Sequence, residues 1–189
     1  SIVLKDEIVF FVNNIGDVTA LDVYNGSLIW QTPTQTNTIY QNAFSLKNSD
    51  IVFANNNIYF SNNNNEFFSI DARTGTLKWA QTINSSLRPT IAENLIFTVS
   101  KEGFFFIIDD SNGNIIRITD VLKNFKNRED IRPVGFILAK NKLYLSLSNG
   151  RLVIINSLTG IQEKIIKIHN SKISRPFILN DSMYLIKNN

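Results

Sequence analysis

The chain has 189 residues, a size that suits one domain, and 43% of them are hydrophobic, enough to bury a core. It has no cysteine, which excludes a disulfide scaffold and cysteine-based metal or redox sites. The net charge of +3 is uneven: residues 1–100 carry five basic and eight acidic side chains, residues 101–189 fourteen and eight. The basic residues are scattered at turns and strand ends without interleaved aromatic rows, so no nucleic-acid partner is expected.

The chain opens on two strand-like apolar runs, Ile2-Val3-Leu4 and Ile8-Val9-Phe10-Phe11-Val12. Gly16 follows, then Gly26 ten residues later, with Asp22 four residues before Gly26 and Trp30 four after it. The spacing has a physical reading. The Asp closes a strand and its carboxylate accepts a backbone N–H about two residues on. The glycine takes the positive φ that a Cβ would penalise, and the apolar residues after it start the returning strand.

A second unit repeats this arrangement with Ile51-Val52-Phe53, Ile58-Tyr59-Phe60, then Asp71, Gly75 and Trp79. Asn65 stands where Gly16 stood, and asparagine tolerates the left-handed region best after glycine. A third unit runs from Pro89 through Leu95–Val99 and Gly103 to Asp109, Gly113 and Arg117. A fourth runs from Pro133 through Leu143–Leu147 and Gly150 to Asn156, Gly160 and Lys164. Pro176-Phe177-Ile178-Leu179 and Met183-Tyr184-Leu185-Ile186 match the first two strands of a fifth. Arg-Pro introduces three of the units, at Arg88, Arg132 and Arg175, and proline suits the first residue of a strand. Seven of the eight glycines occupy the two turn positions; Gly135 does not. Each unit is therefore expected to be four short antiparallel strands, recurring every 38 to 50 residues or so, which is the signature of propeller blades. The expected blades cover residues 1–32, 50–82, 88–119, 132–168 and a partial 174–189, within one domain, residues 1–189.

The pattern Ala20-x-Asp22-x-x-x-Gly26-x-x-x-Trp30, and its copy ending at Trp79, resembles the tryptophan-docking motif of the pyrroloquinoline-quinone (PQQ)-like β-propellers. The resemblance implies an all-β fold in which each tryptophan packs between neighbouring blades. Asp22, Gly26, Trp30, Asp71, Gly75 and Trp79 are then the blade-docking residues, while Arg117 and Lys164 stand where the third and fourth tryptophans would be. It also implies that four blades and two strands are half of an eight-bladed ring, as in the BamB-type branch. That branch holds protein partners of the envelope assembly machinery, on the periplasmic side of the outer membrane, without chemistry or cofactor. Members of the other branch are PQQ-dependent dehydrogenases, which carry an adjacent cysteine pair and calcium-ligating carboxylates. A propeller sensor or adhesion module is a further alternative. An incomplete ring would leave open blade faces, and hence possible self-association.

Chemistry-bearing groups are few. His169 is the only histidine, and Asp109 of the Asp109-Asp110 pair occupies the turn position of its repeat. Asn62–Asn65 reads as a polar hairpin loop. Two connections exceed hairpin length: Thr32 to Ser49, and Thr119 to Ile131. In the second, Thr119 or Asp120 could cap a short helix with Val121, Leu122 and Phe125 on one face. The turns at Gly16, Asn65, Gly103 and Gly150 share one rim with the long links, and the BamB-type resemblance implies partner binding at a rim. Arg88, Arg132 and Phe125 are the expected interface residues there.

Overall fold

The computed structural model describes residues 1–13, 16–34, 48–62 and 65–187. Part of the Asn62–Asn65 tract and most of the Thr32–Ser49 connection lie outside the described residues.

Eighteen strands follow one another among the described residues, in chain order. The first sheet holds β1 (Ile2–Lys5), β2 (Ile8–Val12), β3 (Val18–Asp22) and β4 (Leu28–Thr32). The second holds β5 (Val52–Ala54), β6 (Asn57–Ser61), β7 (Glu66–Asp71) and β8 (Leu77–Thr82). The third holds β9 (Thr90–Ala92), β10 (Leu95–Val99), β11 (Phe104–Asp109) and β12 (Ile115–Asp120). The fourth holds β13 (Pro133–Ala139), β14 (Lys142–Leu147), β15 (Arg151–Asn156) and β16 (Gln162–Lys167). β17 (Phe177–Leu179) and β18 (Ser182–Tyr184) form a separate antiparallel hairpin. Within each sheet every strand pairs with its sequence neighbour, so each sheet is an antiparallel meander.

The turns have the chemistry their residues dictate. The Asp22 carboxylate accepts the N–H groups of Tyr24 and Asn25, and Asp71 those of Arg73 and Thr74. Asp109 accepts from Ser111, and the Asn156 amide oxygen from Leu158 and Thr159. The glycine that follows in each turn has φ between 69° and 76°. Asn65 takes the left-handed region at φ 64°, as its place in the repeat predicts. Gly135 has another function: a Cβ there would stand 2.6 Å from the Cβ of Arg175.

The sheets pack face to face, and each core cluster lies between two neighbours. Phe10, Val18, Ala20 and Trp30 of the first sheet meet Ile58, Phe60, Phe68 and Ile70 of the second. Tyr59, Phe67 and Trp79 of the second meet Ile96, Phe106 and Ile108 of the third. Phe97, Phe105 and Ile107 of the third meet Leu143, Leu145, Val153 and Ile155 of the fourth. Side chains alternate across a strand, so adjacent aromatics divide between junctions. Phe67 goes to one side and Phe68 to the other. That is why these strands read as continuous apolar runs rather than alternating ones. Full burial of one such side chain is worth roughly 1.5–3 kcal/mol.

The expected helix after Thr119 is not present. β12 runs on to Asp120, and residues 121–127 form turns before a single 3-10 turn, Arg128–Asp130. Asp120 still acts as a cap of sorts, accepting the Leu122 N–H at 3.0 Å. Val121 gives its N–H to the Gly103 carbonyl, and both Val121 and Leu122 are buried in the core between the third and fourth sheets. Tertiary burial of two apolar residues right after a strand overrides a helix that would have to nucleate in under four turns.

Candidate functional site

Each tryptophan is seated on the turn of the next sheet. Trp30 donates its indole N–H to the Ala72 carbonyl at 2.9 Å, and Trp79 donates to the Asp110 carbonyl at the same distance. Both rings lie flat on the glycine of that turn. A Cβ on Gly75 would stand 2.7 Å from the Trp30 ring, and one on Gly113 would stand 2.5 Å from the Trp79 ring. Glycine is therefore required twice over, for its φ and for the bare surface it offers. The residue two positions after each tryptophan completes the seat: the Thr32 hydroxyl and the Gln81 amide donate to the carbonyls of Gly75 and Gly113. Sequence reasoning missed this second contact, although a polar residue recurs at that position in Thr32, Gln81 and Thr119.

At the third junction Arg117 takes the place of the ring, and its Cδ lies 2.6 Å from where a Cβ on Gly160 would be. The Thr119 hydroxyl oxygen would stand closer still to such a Cβ. A cleft of about 360 Å³ lies beside this glycine, lined by Ile118, Thr119, Asp120, Lys123, Gly160 and Gln162 among others. The Gln162 side-chain oxygen is buried beside it without a hydrogen-bond partner among the described residues.

Asp109 and Asp110 act separately. Asp109 caps its turn. Asp110 is buried and accepts from the Tyr59 hydroxyl and from the Asn55 amide, the latter at 2.8 Å. Burial, reinforced by the bond to Asp110, pushes the Tyr59 phenol well above its ordinary 10. Asn57 in turn donates to the Tyr59 oxygen at 3.0 Å. The cluster ties the second sheet to the third.

Hydrogen bonds divide the connections between two rims. On one, the inter-sheet links bond to the β2–β3-type turns: Thr34 to the Gly16 carbonyl, Lys101 to Asn84, Val121 to Gly103, and Ile168 to Gly150. On the other, Val23, Ala72, Asp110 and Ser157 bond to the short turns at Glu7, Asn56, Asn94 and Asn141. Arg88 and Arg132, exposed at the starts of the third and fourth sheets, belong to the first rim. Neither forms an ion pair among the described residues. The Arg132 guanidinium reaches the adjacent Ile131 carbonyl at 3.0 Å. Arg175 donates to the Phe136 carbonyl. Burial, followed by repulsion from Arg88, lowers the proton affinity of Arg175, while Asp50 acts in the opposite sense. Arg88, Arg175 and Asp50 thus share one electrostatic neighbourhood where sheets begin. Phe125 is half-buried against the core between the third and fourth sheets, with the Arg151 guanidinium 5.9 Å from its ring centre. His169 is half-exposed; its ring nitrogen is 2.8 Å from the Ser171 hydroxyl and also accepts that residue's backbone N–H. That places the pair in a local turn. No group of three or more His, Cys, Asp or Glu side chains able to hold a metal ion occurs among the described residues.

Stacked four-stranded meanders, with a tryptophan seated on the next turn at two of the junctions, define a partial β-propeller. A profile of the family described as outer membrane protein assembly factor BamB matches residues 1–119, and the chain belongs to that family. No curated protein matches it in sequence. Among solved structures, the β-propeller domain of Myceliophteria thermophila Cps50 (Swd1) superposes with a TM-score of 0.71 at 10% identity, covering 95% of this chain and 59% of that one. BamB from Moraxella catarrhalis gives 0.62 at 12%, covering 97% and 68%. A europium-containing methanol dehydrogenase gives 0.66 at 12%, covering 88% and 41%. At these identities the likenesses show the fold alone, and the chain spans between 41% and 68% of these proteins.

Proposed function

We propose that the chain is a non-enzymatic protein-binding scaffold of the BamB type, holding a protein partner of the outer-membrane assembly machinery on the periplasmic side. The observation that carries this reading is the rim at which Arg88 and Arg132 stand exposed at sheet starts. The membership in the BamB family supports the class of partner. Arginine is favoured at interface hot spots because its planar fork pairs two ways with a carboxylate. Two exposed rim cations, one of them near Arg175, suit an acidic partner surface. The seats on the opposite side of each sheet are occupied by structure, with Asp22, Gly26, Asp71 and Gly75 spent on turns and Trp30 and Trp79 on docking, so recognition falls to the rim. Phe125, packed under Arg151, would act by shaping the long 119–131 loop rather than as a free anchor.

Reversing the charge at both Arg88→Glu and Arg132→Glu is the test. The reading expects partner binding to fall at least tenfold with the melting temperature unchanged. Unaltered binding, or a fold that melts, would return these arginines to the scaffold.

A further inference from the structure

We propose that the open edge of β12 is a docking site for an extended segment of another protein, which adds to the third sheet as a further strand. The sheet order is β9, β10, β11, β12, so β12 pairs with β11 on one side and with no strand on the other. The third sheet packs against the second on one face and the fourth on the other, so this edge belongs to an interior blade. It lies across the sheet from β9, which Arg88 precedes, and does not depend on the arginines of the proposed rim. Along such an edge the backbone N–H and C=O groups alternate without partners. Another extended backbone is the group that matches them.

Sheets guard their edges, and β12 is the least guarded of the four outer strands. Charged side chains on an edge strand, lysine above all, oppose lateral pairing. β8 carries Lys78, and β16 carries Glu163, Lys164 and Lys167. β4 is one residue shorter, and its Gln31 is tied to Asp17 at 2.7 Å. β12 reads Ile-Ile-Arg-Ile-Thr-Asp, with Ile116 and Ile118 55% and 54% exposed. Its Arg117 and Thr119 lie over Gly160 of the fourth blade. Ile118, between them in sequence, stands on the opposite face.

An incoming strand finds a receiver for each of its two faces. On one, Ile118 offers an apolar cross-strand neighbour. On the other, the cleft of about 360 Å³ lies between the end of β12 and the turn of the fourth blade. Gln162, which lines that cleft, has a side-chain oxygen without a hydrogen-bond partner among the described residues, and a donor on the segment satisfies it. Charge narrows the occupant further. Two charged residues line the cleft, Asp120 and Lys123. Asp120 is paired with Arg128 at 2.7 Å, whereas Lys123 and the adjoining Arg117 form no ion pair among the described residues. The segment that fits is therefore extended, apolar at alternate positions, and acidic where it passes the cleft.

The test uses a fluorescent peptide that alternates valine with threonine and ends in glutamates. Its anisotropy should rise saturably with the chain, and hydrogen exchange should slow at the amides of β12. Ile118→Lys, and separately Ile116→Lys, should weaken binding by about tenfold or more with the circular dichroism unchanged. Both side chains are exposed, so the fold is expected to survive. Leu77→Lys, on the edge of β8, should leave binding as it was. Lys123→Glu should weaken it, and Lys123→Arg should not. No saturable binding, or binding that Ile118→Lys leaves intact, overturns the proposal, as does protection confined to strands other than β12. A chain that dimerises through this edge, with the dimer lost in Ile118→Lys, makes a second copy the occupant and overturns it too.

Discussion

Trp79 is held by its indole hydrogen bond, by the Gly113 surface under its ring, and by Phe67, whose ring lies nearly parallel at 6.0 Å. Trp79→Ala removes all three and leaves a cavity between blades, so it should cost about 3–5 kcal/mol. Chemical denaturation reads this as a lowered midpoint, and an unchanged midpoint would contradict the docking function. Glycine substitutions separate conformation from contact. Gly26→Ala meets open space and should cost only the left-handed penalty, about 1–2 kcal/mol. Gly113→Ala adds a clash with the Trp79 ring and should cost clearly more. The turn carboxylates give a pH dependence with a definite sign. The Thr74 backbone N–H, aided by the Thr74 hydroxyl, holds Asp71 below its ordinary 3.8. A lowered folded-state pKa contributes stability that is present above the unfolded value and lost as pH falls through the folded one. Asp71→Asn should therefore lower stability at neutral pH and flatten the acid limb of the stability curve below about pH 4, where the wild-type chain loses this contribution anyway. At this scale the sequence was highly legible, because a residue four before a glycine and a ring four after it can be read directly. The partner of each ring was not legible, because it lies on another blade, 42 residues on from Trp30 and 31 from Trp79.

Between the third and fourth strands of all four complete sheets the register slips at one place, leaving Ile29, Lys78, Ile116 and Glu163 unpaired just before the docking position. Such a bulge re-aims the next side chain, and here it turns residues 30, 79 and 117 toward the following blade, while Lys164 at the same position is exposed. No residue type marks it, which is why the strands were foreseeable and the bulges were not. The helix expected after Thr119 failed for a related reason: spacing on a helical face was present, but burial of Val121 and Leu122 settles the backbone. The third junction carries the element-scale prediction. Arg117→Trp should lie over Gly160 and find the Ser157 carbonyl at the position where Ala72 and Asp110 accept from Trp30 and Trp79. A gain of about 1–2 kcal/mol is expected from the added burial, read as a raised melting temperature. A loss would mean that Arg117 makes a contact there that a ring cannot replace.

Across the whole molecule the fold was read from periodicity and the proposed binding rim only from topology. Four-strand units with two turns each fixed which connections share a rim, since hairpin meanders alternate ends. Nothing in the residue types of Arg88 or Arg132 marks them apart from other surface arginines; their position at sheet starts does. A scaffold and a quinoprotein dehydrogenase share this architecture, and titration with PQQ and calcium separates them. The scaffold reading expects no saturable change in tryptophan fluorescence, and micromolar quenching would favour the enzyme. The most direct measurement is site-specific photocrosslinking in the native envelope, with the probe placed at residue 88 or 132 on one rim and at residue 73 or 158 on the other. The account predicts adducts with an outer-membrane assembly component from residues 88 and 132 and none from 73 and 158. Adducts from the Arg73 and Leu158 rim alone, or none from either, would contradict it.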